Sequence, residues 1–86
     1  MDIENLIKNI KVKLLKNTSI NHVQIEDKTY LHLKHSSHQK NKFHVKLTIE
    51  SDYLKKMSKL EASKKIHKII EYEIKNFIHS IQILIK

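Results

Sequence analysis

The stretch Phe43-His44-Val45-Lys46-Leu47-Thr48-Ile49-Glu50, followed at once by Ser51-Asp52-Tyr53-Leu54, decides the fold. Phe43, Val45, Leu47 and Ile49 alternate with His44, Lys46, Thr48 and Glu50, the pattern of a half-buried strand whose other face is wet. Ser51 then stands where an N-cap side chain accepts from the free backbone N–H groups that open a short helix. A strand that runs straight into a helical turn indicates a mixed architecture in which sheet and helices share one core.

Downstream, Ser58-Lys59-Leu60-Glu61 fits the capping box, in which the serine and glutamate satisfy each other's orphan donors. Leu60, Ile66, Ile70, Ile74 and Phe77 are expected to form the buried stripe of the helix that follows. The segment from Ile78 to Ile85 is apolar or β-branched at nearly every position, which predicts a central strand or one covered on both sides. Upstream, Ile3, Leu6, Ile7, Ile10 and Leu14 mark one helical face, with Asp2 as N-cap and Lys16-Asn17 closing the far end. After the polar break Asn17-Thr18-Ser19, Val23 and Ile25 alternate with His22, Gln24 and Glu26. The same phase returns at Leu31 and Leu33, so the first strand is expected to be interrupted near Asp27. Residues 34–42 hold no apolar side chain and predict an exposed loop. The order is helix, strand, strand, short helix, helix, strand. This is an α+β fold, a three-stranded sheet with helices packed on one face, formed by a single domain over residues 1–86.

Composition removes many functions. The 86 residues contain no Cys, Gly, Pro or Trp. Without cysteine there is no disulfide framework, thiolate nucleophile, Cys-based zinc site or cluster held by this chain's own sulfur. Without glycine there is no P-loop, dinucleotide fingerprint, nucleophile elbow or GXXG clamp. Ser51, Ser58 and Ser63 lack the strained turn of an exposed nucleophile, and no paired carboxylates sit in an apolar setting, so no enzyme is expected. Met1-Asp2-Ile3-Glu4-Asn5 lacks the basic start and apolar centre of a signal peptide. No apolar run approaches the ~20 residues that cross a bilayer. A cytoplasmic protein without membrane contact is the expectation.

All 17 basic residues are Lys, and the formal charge is +8. Abundant Lys, Ile and Asn alongside missing Gly, Pro and Arg is what AT-rich coding produces without selection for a basic surface. The absence of arginine also removes the fork that reads guanine and grips phosphate. DNA or RNA binding stays an alternative, with Lys56, Lys59, Lys64, Lys65 and Lys68 set against the phosphate backbone.

Seven histidines are more than usual for this length, and three form the spacing His32-x-x-His35-x-x-His38. His44 follows a little further on, and His79 stands at the entrance to the last strand. Neutral imidazole binds iron, zinc and copper, and a loop lets several side chains converge. The spacing lacks the helical i, i+4 pair with glutamate, so solvated loop histidines and an isolated zinc or copper site both remain open. By period 2, His79 shares a phase with Ile81, Ile83 and Ile85, where a strand-end histidine would hydrogen-bond to a neighbour.

From Phe43 to Ile83 the sequence resembles the BolA-like family. Its pattern runs His-Phe, an apolar strand, Ser-x-x-Phe, Ser-x-Val, a helix with Arg-His-Arg, and Ile-His-Ala-Leu. Here His44-Val45 stands for His-Phe, Ile49-Glu50-Ser51 for the strand end and Leu54 for the Phe. Ser58 and Leu60 match Ser-x-Val, and Ile78-His79-Ser80-Ile81 matches the final motif, all in register without a gap. Val23 to His32 resembles the family's first strand and the start of its variable loop.

The resemblance implies an αββααβ fold related to class II KH domains. It also implies a partner, a monothiol glutaredoxin, with which such proteins share a bridging 2Fe-2S cluster together with glutathione. In that arrangement the histidine at the position of His79 is one ligand and a loop residue is the other, here His32, with His35 or His38 as substitutes. Two imidazoles on one iron with sulfur ligands elsewhere is the pattern of Rieske centres. The isolated chain is expected to carry no cofactor, and a weak homodimer is left open. The family's Arg-His-Arg becomes Ala62-Ser63-Lys64, a preceding Gly becomes Lys56 and a helix Tyr becomes His67. These departures fall in the helical region that some relatives use on DNA, so they weigh against a transcription regulator more than against cluster sharing.

Overall fold

A computed structural model describes residues 2–17, 19–29 and 42–86. Helix α1, Ile3–Leu15, starts at Asp2, whose Oδ1 accepts from Asn5 N at 2.8 Å. Its periodic face delivers Leu6, Ile10 and Leu14 to the core with no exposed surface. Strand β1, His22–Asp27, pairs antiparallel with β2, Phe43–Glu50, and β2 pairs parallel with β3, Ile78–Ile85. The sheet order is β1-β2-β3. Strand β1 ends as the sequence anticipates near Asp27, because Asp27 Oδ1 accepts from Thr29 N at 2.9 Å and turns the chain. Leu31 and Leu33, which carried the expected continuation, lie outside the described residues.

The corner after β2 is built by Ser51. Its hydroxyl donates to Ser19 O at 2.6 Å and accepts from Leu54 N at 3.1 Å, which caps helix α2, Asp52–Lys55. Ser58 Oγ then accepts from Glu61 N at 3.2 Å and opens α3, Lys59–Ile69. Both serines cap as predicted, while the return bond from Ser58 N to the Glu61 carboxylate that completes a capping box is not formed among the described residues. One apolar cluster joins Leu6, Ile10 and Leu14 of α1 to Val23, Val45, Leu47, Ile49 and Ile78 of the sheet and to Leu54, Ala62, Ile66 and Ile70 of the helices behind β2. The expected α+β architecture is therefore the one observed.

Three details differ from the expectation. The helix after Ser58 is two helices, because Ile70 leaves the helical region at φ −111° and ψ 30° before α4, Glu71–Phe77. The change of direction sets the buried Glu73 of α4 against α1, where Lys13 Nζ lies 2.7 Å from Glu73 Oε2. Leu60 is 66% exposed rather than buried. It stands six residues before Ile66, about 240° around the helix, and so falls off the stripe formed by Ala62, Ile66 and Ile70. Finally, β3 is an edge strand and β2 is the centre. The loop from β1 returns β2 as its antiparallel neighbour, and the helices then carry the chain to the remaining free side of β2. Apolar content favoured β3 for the middle, and connectivity overrode it. Among the described residues no helix is long and apolar enough to cross a membrane.

Candidate functional site

At the start of β3 the ladder slips by one residue. Phe43 is opposite Ile78 and His44 is opposite Ser80, which leaves His79 as the extra residue of a β-bulge. A bulge breaks the period-2 phase. Ile78 is buried, Ile81, Ile83 and Ile85 are half-buried, and His79 between them is exposed. The expected common phase of His79 with Ile81, Ile83 and Ile85 is thus corrected, because the inserted residue re-aims the imidazole.

Next to it lies a second imidazole. The rings of His44 and His79 meet edge to face with centroids 5.0 Å apart. His44 is 5% exposed, and its Nδ1 shares a 2.6 Å hydrogen bond with the hydroxyl of Ser80. Alternation had placed His44 on the wet face of β2. The structure buries it because β2 is central and its second face is covered by side chains of its neighbours. No period in the sequence marks His44 as a companion of His79. The signal that could have found it is register, since a parallel pairing of β2 with the Ile78-His79-Ser80 segment brings the two histidines together.

The same residue ties down the chain on either side of the histidine-rich segment. Lys28 N donates to His44 O at 2.7 Å, and His44 N donates to Thr29 Oγ1 at 3.1 Å. Lys42 precedes Phe43, whose register partner is Ile78. Both described ends of the connection between β1 and β2 therefore meet the sheet beside His79. His32, His35 and His38 themselves lie outside the described residues.

Among the described residues no three His, Cys, Asp or Glu side chains group as a metal site. What remains is half a site: one exposed nitrogen donor, buttressed by a buried and hydrogen-bonded ring, with no thiolate in the chain. Neutral imidazole suits iron, and the sulfur that a cluster needs would have to come from elsewhere.

The five lysines weighed for nucleic acid are all exposed, and three of them adjoin. Lys65 and Lys68 line a shallow groove with Tyr53, Leu54 and Ile69, whereas Lys59 lies on a different groove beside β3. Lys68 also lines an adjoining polar surface with Lys64, His67 and Glu71, so Lys64, Lys65 and Lys68 make one basic stretch of α3, from which Lys59 stands apart.

No curated protein matches this chain. Its structure is similar to the BolA domain of SufE1 from Arabidopsis thaliana, with a TM-score of 0.75 and 26% identity over 92% of this chain and 87% of that one. BolA1 from Arabidopsis thaliana has the same fold, with a TM-score of 0.78 and 23% identity over 98% of this chain and 93% of that one. The family profile described as BolA-like protein matches residues 14–86, a span that runs from the end of α1 through the bulge and β3. Sequence profile, strand register and structural likeness agree, and the chain belongs to the BolA-like family.

Proposed function

We propose that this protein is a non-enzymatic adaptor that binds a monothiol glutaredoxin and shares a 2Fe-2S cluster with it in iron–sulfur trafficking or iron regulation. The observation that carries this reading is His79, an exposed imidazole on a bulge, beside both described ends of the segment that holds His32, His35 and His38. His79 would give one nitrogen to an iron and a loop histidine the second, while the glutaredoxin cysteine and glutathione would give the sulfur. The cluster brings one-electron redox capacity to the complex. His32 is favoured as the second donor because it follows Thr29 by three residues, a tether of at most ~10 Å from a residue bonded to His44. His44 contributes by holding its neighbour: its ring packs against that of His79 and is itself fixed by Ser80.

Reconstitution tests the reading. Wild type, His79→Ala and the control His67→Ala are each mixed with a monothiol glutaredoxin, iron, sulfide and glutathione, and visible absorption and circular dichroism are followed. The expected result is a heterodimer spectrum for wild type and His67→Ala that His79→Ala fails to reproduce. Identical spectra for all three would remove His79 from the ligand set. Tight zinc or copper binding by the isolated chain, lost as pH falls through the histidine range, would replace the shared cluster with a metal site of the chain's own.

A further inference from the structure

The edge of β3 carries a second surface. Lys86 N donates to Ile49 O at 2.8 Å and Lys86 O accepts from Ser51 N at 3.2 Å, so both of its backbone groups face β2. In a parallel ladder each residue directs both groups to one side, and alternate residues turn to the other. Leu84 and Gln82 therefore face β2 with Lys86, and Ile81, Ile83 and Ile85 turn their N–H and C=O groups outward. These outward groups have no hydrogen-bond partner among the described residues. Natural sheets blunt such edges with lysine, proline or a bulge. The bulge here is at the His79 end, and the stretch from Ile81 to Ile85 has neither a proline nor a charge.

Beside this bare edge runs a groove of about 240 Å³ between β3 and the α2–α3 corner. Leu54 and Ala62 line it from the helices, Met57 from the turn between them, and Ile83 and Ile85 from the strand. The charged groups on its wall are Lys55 and Lys59, both cationic. We infer that the outer edge of β3 docks an extended acidic peptide segment as an added strand, with its apolar side chains in this groove and its carboxylates on Lys55 and Lys59.

Two other occupants fit less well. A second copy would bring the same lysines and a charge of +8 against +8. A single-stranded nucleic acid would have to be held here without aromatic stacking and without an arginine fork, on two lysines alone. The groove itself lies beyond the metal half-site, since its strand residues Ile83 and Ile85 stand four and six residues past His79, about 13 and 20 Å along the strand, and only the first outward amide, that of Ile81, comes within about 7 Å of it. The inference therefore stands apart from cluster sharing.

The test uses an octapeptide alternating valine with glutamate, titrated into the isotope-labelled full chain with amide hydrogen exchange read by NMR. Exchange should slow at Ile81, Ile83 and Ile85. The double variant Lys55→Glu, Lys59→Glu should weaken binding about tenfold. Ile83→Pro should abolish it, because proline there removes an outward N–H while leaving the β2 ladder intact. Should Ile83→Pro fail to fold, the charge-reversal variant decides alone. His79→Ala should bind the peptide as wild type does. Unchanged exchange at the three isoleucines would overturn the inference, as would equal binding of a valine–lysine peptide. Protection of those amides by oligo-dT but not by the peptide would give the edge to nucleic acid, and protection that rises with protein concentration alone would give it to a second copy.

Discussion

β2 and β3 lie side by side, each eight residues long, and the structure treats them oppositely. β2 carries two charged or titratable side chains between Phe43 and Ile49, and the structure still buries His44 and Thr48 on its polar side. β3 is far more apolar, yet His79, Ser80, Gln82 and Leu84 are exposed. Hydrophobicity set which segments became strands, and the path of the chain set which of them a partner can reach. The central strand supplies rigidity. The edge strand supplies both surfaces to which function is ascribed here, an imidazole at one end and an unpaired backbone at the other.

The largest expected effect measures this contrast directly. Leu47 on β2 has no exposed surface, so Leu47→Ala should lower stability by about 3 kcal/mol through lost burial and a cavity. Ile83 on β3 is half-buried beside an open groove, and Ile83→Ala should cost about 1 to 2 kcal/mol, since part of its surface is already in water. Urea unfolding midpoints at matched slopes compare the two. Equal losses would mean that the edge strand is as tightly packed as the centre.

A smaller effect separates two serine caps that look alike in the sequence. Ser51 is 1% exposed and makes two hydrogen bonds at the corner that joins β2, α2 and the chain entering β1. Ser51→Ala should cost about 2 kcal/mol, because it leaves the part-buried carbonyl of Ser19 and the buried helix N–H of Leu54 without partners. Ser58 caps α3 in the open, where water can replace it, and Ser58→Ala should cost about 0.5 to 1 kcal/mol. Thermal melts of the two variants rank them, and a reversed order would remove Ser51 from the role of corner.

How much of this was legible in the sequence follows from which forces are local. Helix α1, the strand alternation of β2, and the caps at Asp2, Ser51 and Ser58 depend on neighbours a few residues away, and each is where the pattern puts it. The break at Ile70 and the burial of Glu73 depend on Lys13, sixty positions distant, and no local period carries that information. The same holds at the candidate site. His79 was found through a motif, but its bulge and its contact with His44 arise from the register between two strands separated by three helices. Alternation read His44 as wet because a single sequence does not say which strand will be flanked on both sides. The loop histidines fall outside the described residues, so only the anchors at Thr29 and Lys42 bear on them.

The smallest effects distinguish the two touching residues at the bulge. Ser80→Ala removes the 2.6 Å hydrogen bond to the buried ring of His44 and should cost about 1 kcal/mol. His79→Ala removes an exposed side chain and should change stability by less than ~0.5 kcal/mol, despite sitting one residue away. That near-neutrality is the useful result, because a bulged histidine that does nothing for the fold has to be accounted for by what it meets. If chemical denaturation instead shows His79→Ala losing as much as Ser51→Ala, the ring is holding the bulge in place through its edge-on contact with His44. The exposed imidazole would then be a packing residue that happens to face water, and a change in cluster spectra for that variant would no longer identify a ligand.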